Sequence, residues 1–154
     1  FLITYFFLRK KSSLRLNSVI AIAPASIVLA HAVGRIGCFL AGCCYGKPTD
    51  SWIGIDFPGV GKVIPTQLIE SIFLFIIFGI LLFLILKYKF KFGFLIYVPT
   101  YAIFRFVIEF YRGDDRGVAF ALSPSQIWCI VLFAFSIPLY FFLKKYFEKA
   151  NEEK

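Results

Sequence analysis

His31, Arg35 and Cys38 recur at i, i+4 and i+7 near the end of one apolar run, and Tyr101, Arg105, Glu109 and Arg112 climb a second run at closely similar intervals. On a helix these intervals share a face. A guanidinium offers a planar fork of donors that matches phosphate or carboxylate oxygens and keeps its charge at any working pH. The two stripes therefore point to capture of an anion. Glu109, one turn from Arg105, could simply neutralise it and hold helices together, but Arg112 then adds positive charge beyond that pair. Gln67 and Glu70 bring an amide and a carboxylate to the start of a third apolar run. Ionisable groups carried by several runs toward one level are the pattern of a site rather than of isolated ion pairs.

The elements that position these groups are membrane spans. The chain is 60% hydrophobic and 20% aromatic, with a mean hydropathy of +0.81, far above soluble composition. Runs at 17–39, 67–86, 92–111 and 126–143 reach the length of about 20 residues that a helix needs to cross about 30 Å of hydrocarbon. Residues 1–8 are too few, run straight into Arg9, Lys10, Lys11 and Arg15, and belong to a chain without any Met. They read as the end of a helix whose beginning is missing, because a secretory signal places its charges before its apolar core. The expectation is an all-α integral membrane protein, a multi-span helical bundle with four full transmembrane helices plus the end of a truncated one. Residues 1–154 then form a single transmembrane domain, the C-terminal part of a larger membrane protein.

Orientation follows from the basic residues. Arg9, Lys10, Lys11 and Arg15 lie on one side; Lys87, Lys89 and Lys91 return to it after two spans, and Lys144, Lys145, Lys149 and Lys154 after two more. The positive-inside rule makes that side cytoplasmic and turns the loops 40–66 and 112–125 outward. Most of the net charge of +8 is accounted for by these flanks, so no nucleic-acid partner is expected, while anionic membrane lipids are. Gly34, Gly37, Gly42 and Gly46 suit close helix approach or a turn into the outer loop, and Pro24, Pro99 and Pro138 imply kinks. Trp52, Trp128, Tyr45 and Tyr111 suit interfacial depths, and residues 148–154 read as a solvated helix end.

Gly34-Arg35-Ile36-Gly37-Cys38-Phe39 running to Tyr45-Gly46, Pro65-Thr66-Gln67 with Glu70, and Tyr101-Ala102-Ile103-Phe104-Arg105-Phe106 with Glu109 and Arg112 together resemble the signature of the prolipoprotein diacylglyceryl transferase family. Leu122-Ser123 with Gln126 is similar to the element leading into that family's last helix. The resemblance implies an enzyme of the bacterial cytoplasmic membrane with its site toward the extracytoplasmic side. Such an enzyme moves the diacylglyceryl group of phosphatidylglycerol, through a thioether, onto the cysteine of a lipoprotein precursor, whose signal peptide is the partner. No cofactor is implied. The alternative is a relative that binds anionic phospholipid or uses another acceptor, without modifying lipoproteins.

That chemistry needs a held phosphate and a deprotonated thiol. Arg35 and Arg105, with Glu109 orienting the latter, are the catalytic candidates. Gly34, Gly37, Cys38, Cys43, Gly46, Gln67, Glu70, Tyr101 and Arg112 are the substrate-contact candidates the resemblance implies. The family's proposed base is a histidine upstream, so His31 is read as a hydrogen-bonded structural residue. Better-known members carry Asn at Cys38, Glu at Cys43 and His at Ile64. Cys38, Cys43 and Cys44 are open to several readings: packing as small hydrophobes, a thiol that carries the lipid covalently, a disulfide, or a metal site with His31. They lack paired Cys-x-x-Cys spacing, and no metal is assigned. Cys129, inside the last run, reads as core.

Overall fold

The apolar runs become helices because a backbone in hydrocarbon must satisfy its own hydrogen bonds. The structure, a computed structural model, describes residues 16–113 and 122–152 and the side chains of 19–113 and 122–148. The order is α1 (Leu16–Leu40), β1 (Ile55–Phe57), β2 (Gly61–Val63), α2 (Thr66–Tyr88), α3 (Gly93–Ile108), a 3-10 turn (Glu109–Tyr111) and α4 (Pro124–Glu152). Four of these segments, Val19–Leu40, Thr66–Tyr88, Gly93–Tyr111 and Pro124–Glu148, are long and apolar enough to cross a membrane, in agreement with the four expected spans. Residues 1–8, read as the end of a truncated helix, lie outside the described residues.

The packing explains which faces meet. Ala25, Val28 and Ala32 on α1 interlock with Leu74, Ile77 and Leu81 on α2, both sets at i, i+3, i+7. Small residues on one helix let the other approach, and the Ser71 hydroxyl donates across the seam to the Ala32 carbonyl at 2.9 Å. At the far end, Gly93 begins α3 against Pro24, where a Cβ would come within 3.1 Å of the proline ring. Helix α4 packs chiefly on α3. It exposes Ile130, Val131, Phe133, Phe135, Ile137, Phe141 and Phe142, as a lipid-facing surface does.

Pro24, Pro99 and Pro138 all sit inside helices, where the sequence placed them. Residues 148–152 continue α4, in line with the helix end read there, so the last helix runs about two turns past its apolar stretch. One expectation changes. The loop 40–66 is not bare: β1 and β2 pair antiparallel in the register Ile55↔Val63, Asp56↔Lys62, Phe57↔Gly61. Pro58-Gly59 turns the hairpin, with Gly59 at φ +77° and Val60 N–H bonded to the Phe57 carbonyl at 3.0 Å. Residues 46–48 lie beside this hairpin, bridging Pro48 to Val63 and Gly46 to Arg112, and so tie the C-terminal end of α3 to the α1–α2 loop.

Candidate active site

Glu70 sits one turn into α2 and is buried to 2% exposure, where a bare carboxylate is costly unless paired. Its Oε1 accepts from Arg35 Nη2 of α1 at 2.9 Å and from the Tyr101 hydroxyl of α3 at 2.7 Å. Arg35 Nη2 also reaches the Tyr101 oxygen at 3.5 Å, closing a triangle that joins three helices. His31 lies on the edge of this group: Nδ1 is 3.0 Å from the Tyr97 hydroxyl and Nε2 is 3.9 Å from Glu70 Oε1. Its ring meets Tyr101 edge-on with centroids 4.8 Å apart. Two tyrosine hydroxyls, of Tyr97 and Tyr101, lie within hydrogen-bond distance of the His31 ring.

A second cluster lies where α3 ends. Arg105 Nη2 pairs with Glu109 Oε2 at 2.8 Å, and the other Glu109 oxygen accepts from the Ser123 hydroxyl at 2.9 Å. Ser123 is fixed by its own helix. Gln126 N–H donates to its Oγ at 3.2 Å and its N–H donates to Gln126 Oε1 at 2.9 Å, a reciprocal cap with Pro124 in the first helical position. Leu122-Ser123 with Gln126 is thus a capping box whose serine also holds the acid that orients Arg105.

Arg112 corrects the sequence reading. The α-helix gives way to the 3-10 turn after Ile108, so the i+7 interval from Arg105 is not a helical one. Rather than adding charge at an open interface, Arg112 is buried, its Nε 3.8 Å from Glu109 Oε2. Tyr101, placed in the same stripe by spacing, belongs instead to the Glu70 triangle.

Two guanidinium nitrogens are left over. Arg35 Nε and Arg105 Nη1 are buried with no hydrogen-bond partner among the described residues, although Arg105 is only 7% exposed. A buried donor without a partner costs about 1–3 kcal/mol, which an oxygen of a bound anion recovers. Gln67, whose Nε2 bonds the Cys43 carbonyl at 2.6 Å, also keeps a buried, unpartnered Oε1.

The glycines divide. Gly46 is a close-approach residue: a Cβ there would lie 2.7 Å from the Tyr111 carbonyl oxygen. Gly42, at φ +65°, is a turn residue. Gly34 and Gly37 have nothing near a would-be Cβ, so the expected close helix approach does not occur there among the described residues.

The cysteines converge. Gly42 closes α1 in a Schellman turn, with Cys43 N–H on the Cys38 carbonyl at 3.1 Å and Gly42 N–H on the Phe39 carbonyl at 3.0 Å. That motif sets the side chain of Cys43 over that of Cys38. Cys44 follows at φ +65°, its carbonyl held by the Thr66 hydroxyl at 2.9 Å. The Sγ atoms of Cys38, Cys43 and Cys44 lie within 4.8 Å of one another, and none forms a disulfide. Hydrogen bonding with Cys44 holds the Cys43 thiol above the usual thiol range, which disfavours it as a thiolate nucleophile. The sequence reading grouped these three thiols but joined His31 to them in its metal reading, and His31 is not among the clustered ligand atoms; Gly42, one residue before Cys43, was the signal for the turn that gathers them. Cys129 is buried on α4, as expected.

The fold and site define a class, a multi-pass helical membrane protein whose arginines are aligned by carboxylates and keep buried donors without a partner among the described residues. Comparison with known proteins gives the family. The family described as prolipoprotein diacylglyceryl transferase matches residues 1–142. The chain is 42% identical over 146 residues to a phosphatidylglycerol-prolipoprotein diacylglyceryl transferase of Clostridium tetani, covering 90% of this chain and 57% of the relative. It is 43% identical over 136 residues to a second such enzyme from Clostridium perfringens, covering 83% and 53%. To a protein of the same name from Dehalococcoides mccartyi it is 32% identical over 150 residues, covering 92% and 57%. No solved structure matches. The chain belongs to the prolipoprotein diacylglyceryl transferase family, and it spans about half the length of the curated relatives it matches.

Proposed function

We propose that this chain carries the phosphate-gripping part of a transferase. The enzyme moves the diacylglyceryl group of phosphatidylglycerol to the cysteine thiol of a lipoprotein precursor at the outer leaflet of the bacterial cytoplasmic membrane. The observation that carries the reading is the buried, unpartnered Nη1 of Arg105, on a guanidinium whose other nitrogen is fixed by Glu109. The relatives' names supply the reactants. In the reaction the bond from the glyceryl carbon to the phosphate oxygen breaks and a carbon–sulfur bond forms. The thiol's proton passes to the medium, and the phosphate keeps the electron pair of the broken bond and leaves as glycerol phosphate.

Negative charge grows on the departing phosphate, so donors already aimed at it stabilise the transition state more than the ground state. Arg105 presents its open nitrogen, and Arg35, steadied by Glu70 and Tyr101, presents Nε. Gly34, Gly37, Cys38, Cys43, Gly46, Gln67 and Arg112 are proposed to line the path of lipid and peptide, whose signal peptide approaches from the outer face. The nucleophile is the precursor's thiol.

The test is release of glycerol phosphate from phosphatidylglycerol by the purified protein. Release is expected only when the precursor peptide is also present, with no diacylglyceryl adduct on the enzyme's own intact mass after lipid alone. Release without any thiol acceptor, or an adduct on Cys38, Cys43 or Cys44, would contradict this mechanism.

A further inference from the structure

We propose that Cys38, Cys43 and Cys44 form a three-thiolate binding site for a thiophilic d10 cation such as Zn2+, at the turn that closes α1. The inference does not rest on the transfer reaction, whose proposed path also passes Cys38 and Cys43. Three sulfurs within 4.8 Å of one another already approach the geometry a metal imposes. With Zn–S bonds of about 2.3 Å, a tetrahedral centre sets its sulfurs about 3.8 Å apart, so the widest pair closes by about 1 Å. Rotation about side-chain torsions supplies that. A disulfide would use two of the sulfurs and strand the third, whereas a cation uses all three.

The backbone around the sulfurs is already fixed. The Schellman bonds lock Cys43 above Cys38, and side chains at the start of α2 hold the next two carbonyls, Gln67 on Cys43 and Thr66 on Cys44. A site built this way does not have to be ordered by the metal, and Cys43 is exposed, which gives ions a route in. Binding releases the protons of the thiols that become thiolates and leaves a fourth position to water. Sulfur-only ligands select Zn2+ or Cu+ over Mg2+ and Ca2+, which prefer oxygen. Bound metal would clamp the end of α1 to the loop that enters α2, one turn beyond Arg35.

The experiment is a Cd2+ titration of the purified full chain in detergent with a thiol-free reductant, followed by the ultraviolet thiolate-to-cadmium absorption and reversed by Zn2+. One ion per chain is expected, with the Cys129→Ala variant binding equally. Cys43→Ser alters an exposed side chain and should weaken binding by more than about 100-fold, beyond what loss of an outer hydrogen-bond partner costs. Its helical circular dichroism should be unchanged. No saturable band, equal binding by Cys43→Ser, or purification of the protein with two of these cysteines already bridged would each overturn the proposal.

Discussion

Glu70 is the residue on which most of the polar design depends, because among the described residues it is the acid that contacts α1 and α3 at once. Removing its charge strands Arg35, and a buried ion left without its partner costs about 3–5 kcal/mol. Removing the Tyr101 hydroxyl takes away a neutral donor and leaves the ion pair in place, at about 1–2 kcal/mol. Glu70→Gln should therefore lower the thermal unfolding midpoint in detergent clearly more than Tyr101→Phe does. Equal midpoints for the two variants would mean that the triangle is not held by its ion pair. Both residues were legible as polar contributions in the sequence, but their pairing was not. Spacing assigned Tyr101 to the Arg105 stripe, and only the crossing of α3 over α2 brings it to Glu70.

At the scale of elements, the cap over the C-terminal end of α3 is set by two local devices. Ser123 caps α4 and holds Glu109 with the same hydroxyl, so Ser123→Ala should lose about 1 kcal/mol for the cap and more for the released acid. Gly46 lets the loop pass the Tyr111 carbonyl. A methyl group there would sit 2.7 Å from that oxygen, and Gly46→Ala should open the bridge to Arg112. Amide exchange at Lys47, whose N–H bonds the Tyr111 carbonyl at 2.8 Å, checks this: faster exchange in the variant is expected, and unchanged exchange would show that the cap accommodates the methyl. The helices were readable because long apolar runs have few alternatives in a membrane. The β1–β2 hairpin was not, since strands of three residues interrupted by Pro and Gly carry no alternation to detect. Arg112 was misplaced for a related reason: nothing in the run 105–112 announces that the helix tightens into a 3-10 turn after Ile108.

For the molecule as a whole, both clusters and the hairpin lie at one end of the bundle, while Lys87, Lys89 and Lys91 lie around the α2–α3 turn at the other. The positive-inside rule then predicts that single cysteines at 50 and 115 react with a membrane-impermeant reagent in intact cells, and those at 10 and 89 do not, in a background lacking the native thiols. Reaction at position 89 would invert the proposed topology and move the site to the cytoplasmic leaflet. The central claim, that the guanidinium of Arg105 grips the phosphate through a fork set by Glu109, has a more direct test. Turnover of phosphatidylglycerol with a precursor peptide should be measured for the parent protein, Arg105→Lys and Arg105→Ala. Loss of a charged hydrogen bond made in the transition state costs about 3 kcal/mol, or about a hundredfold in rate. Lysine keeps the charge but not the fork, so both variants should be severely slowed. Near-parental turnover by Arg105→Ala would contradict the account.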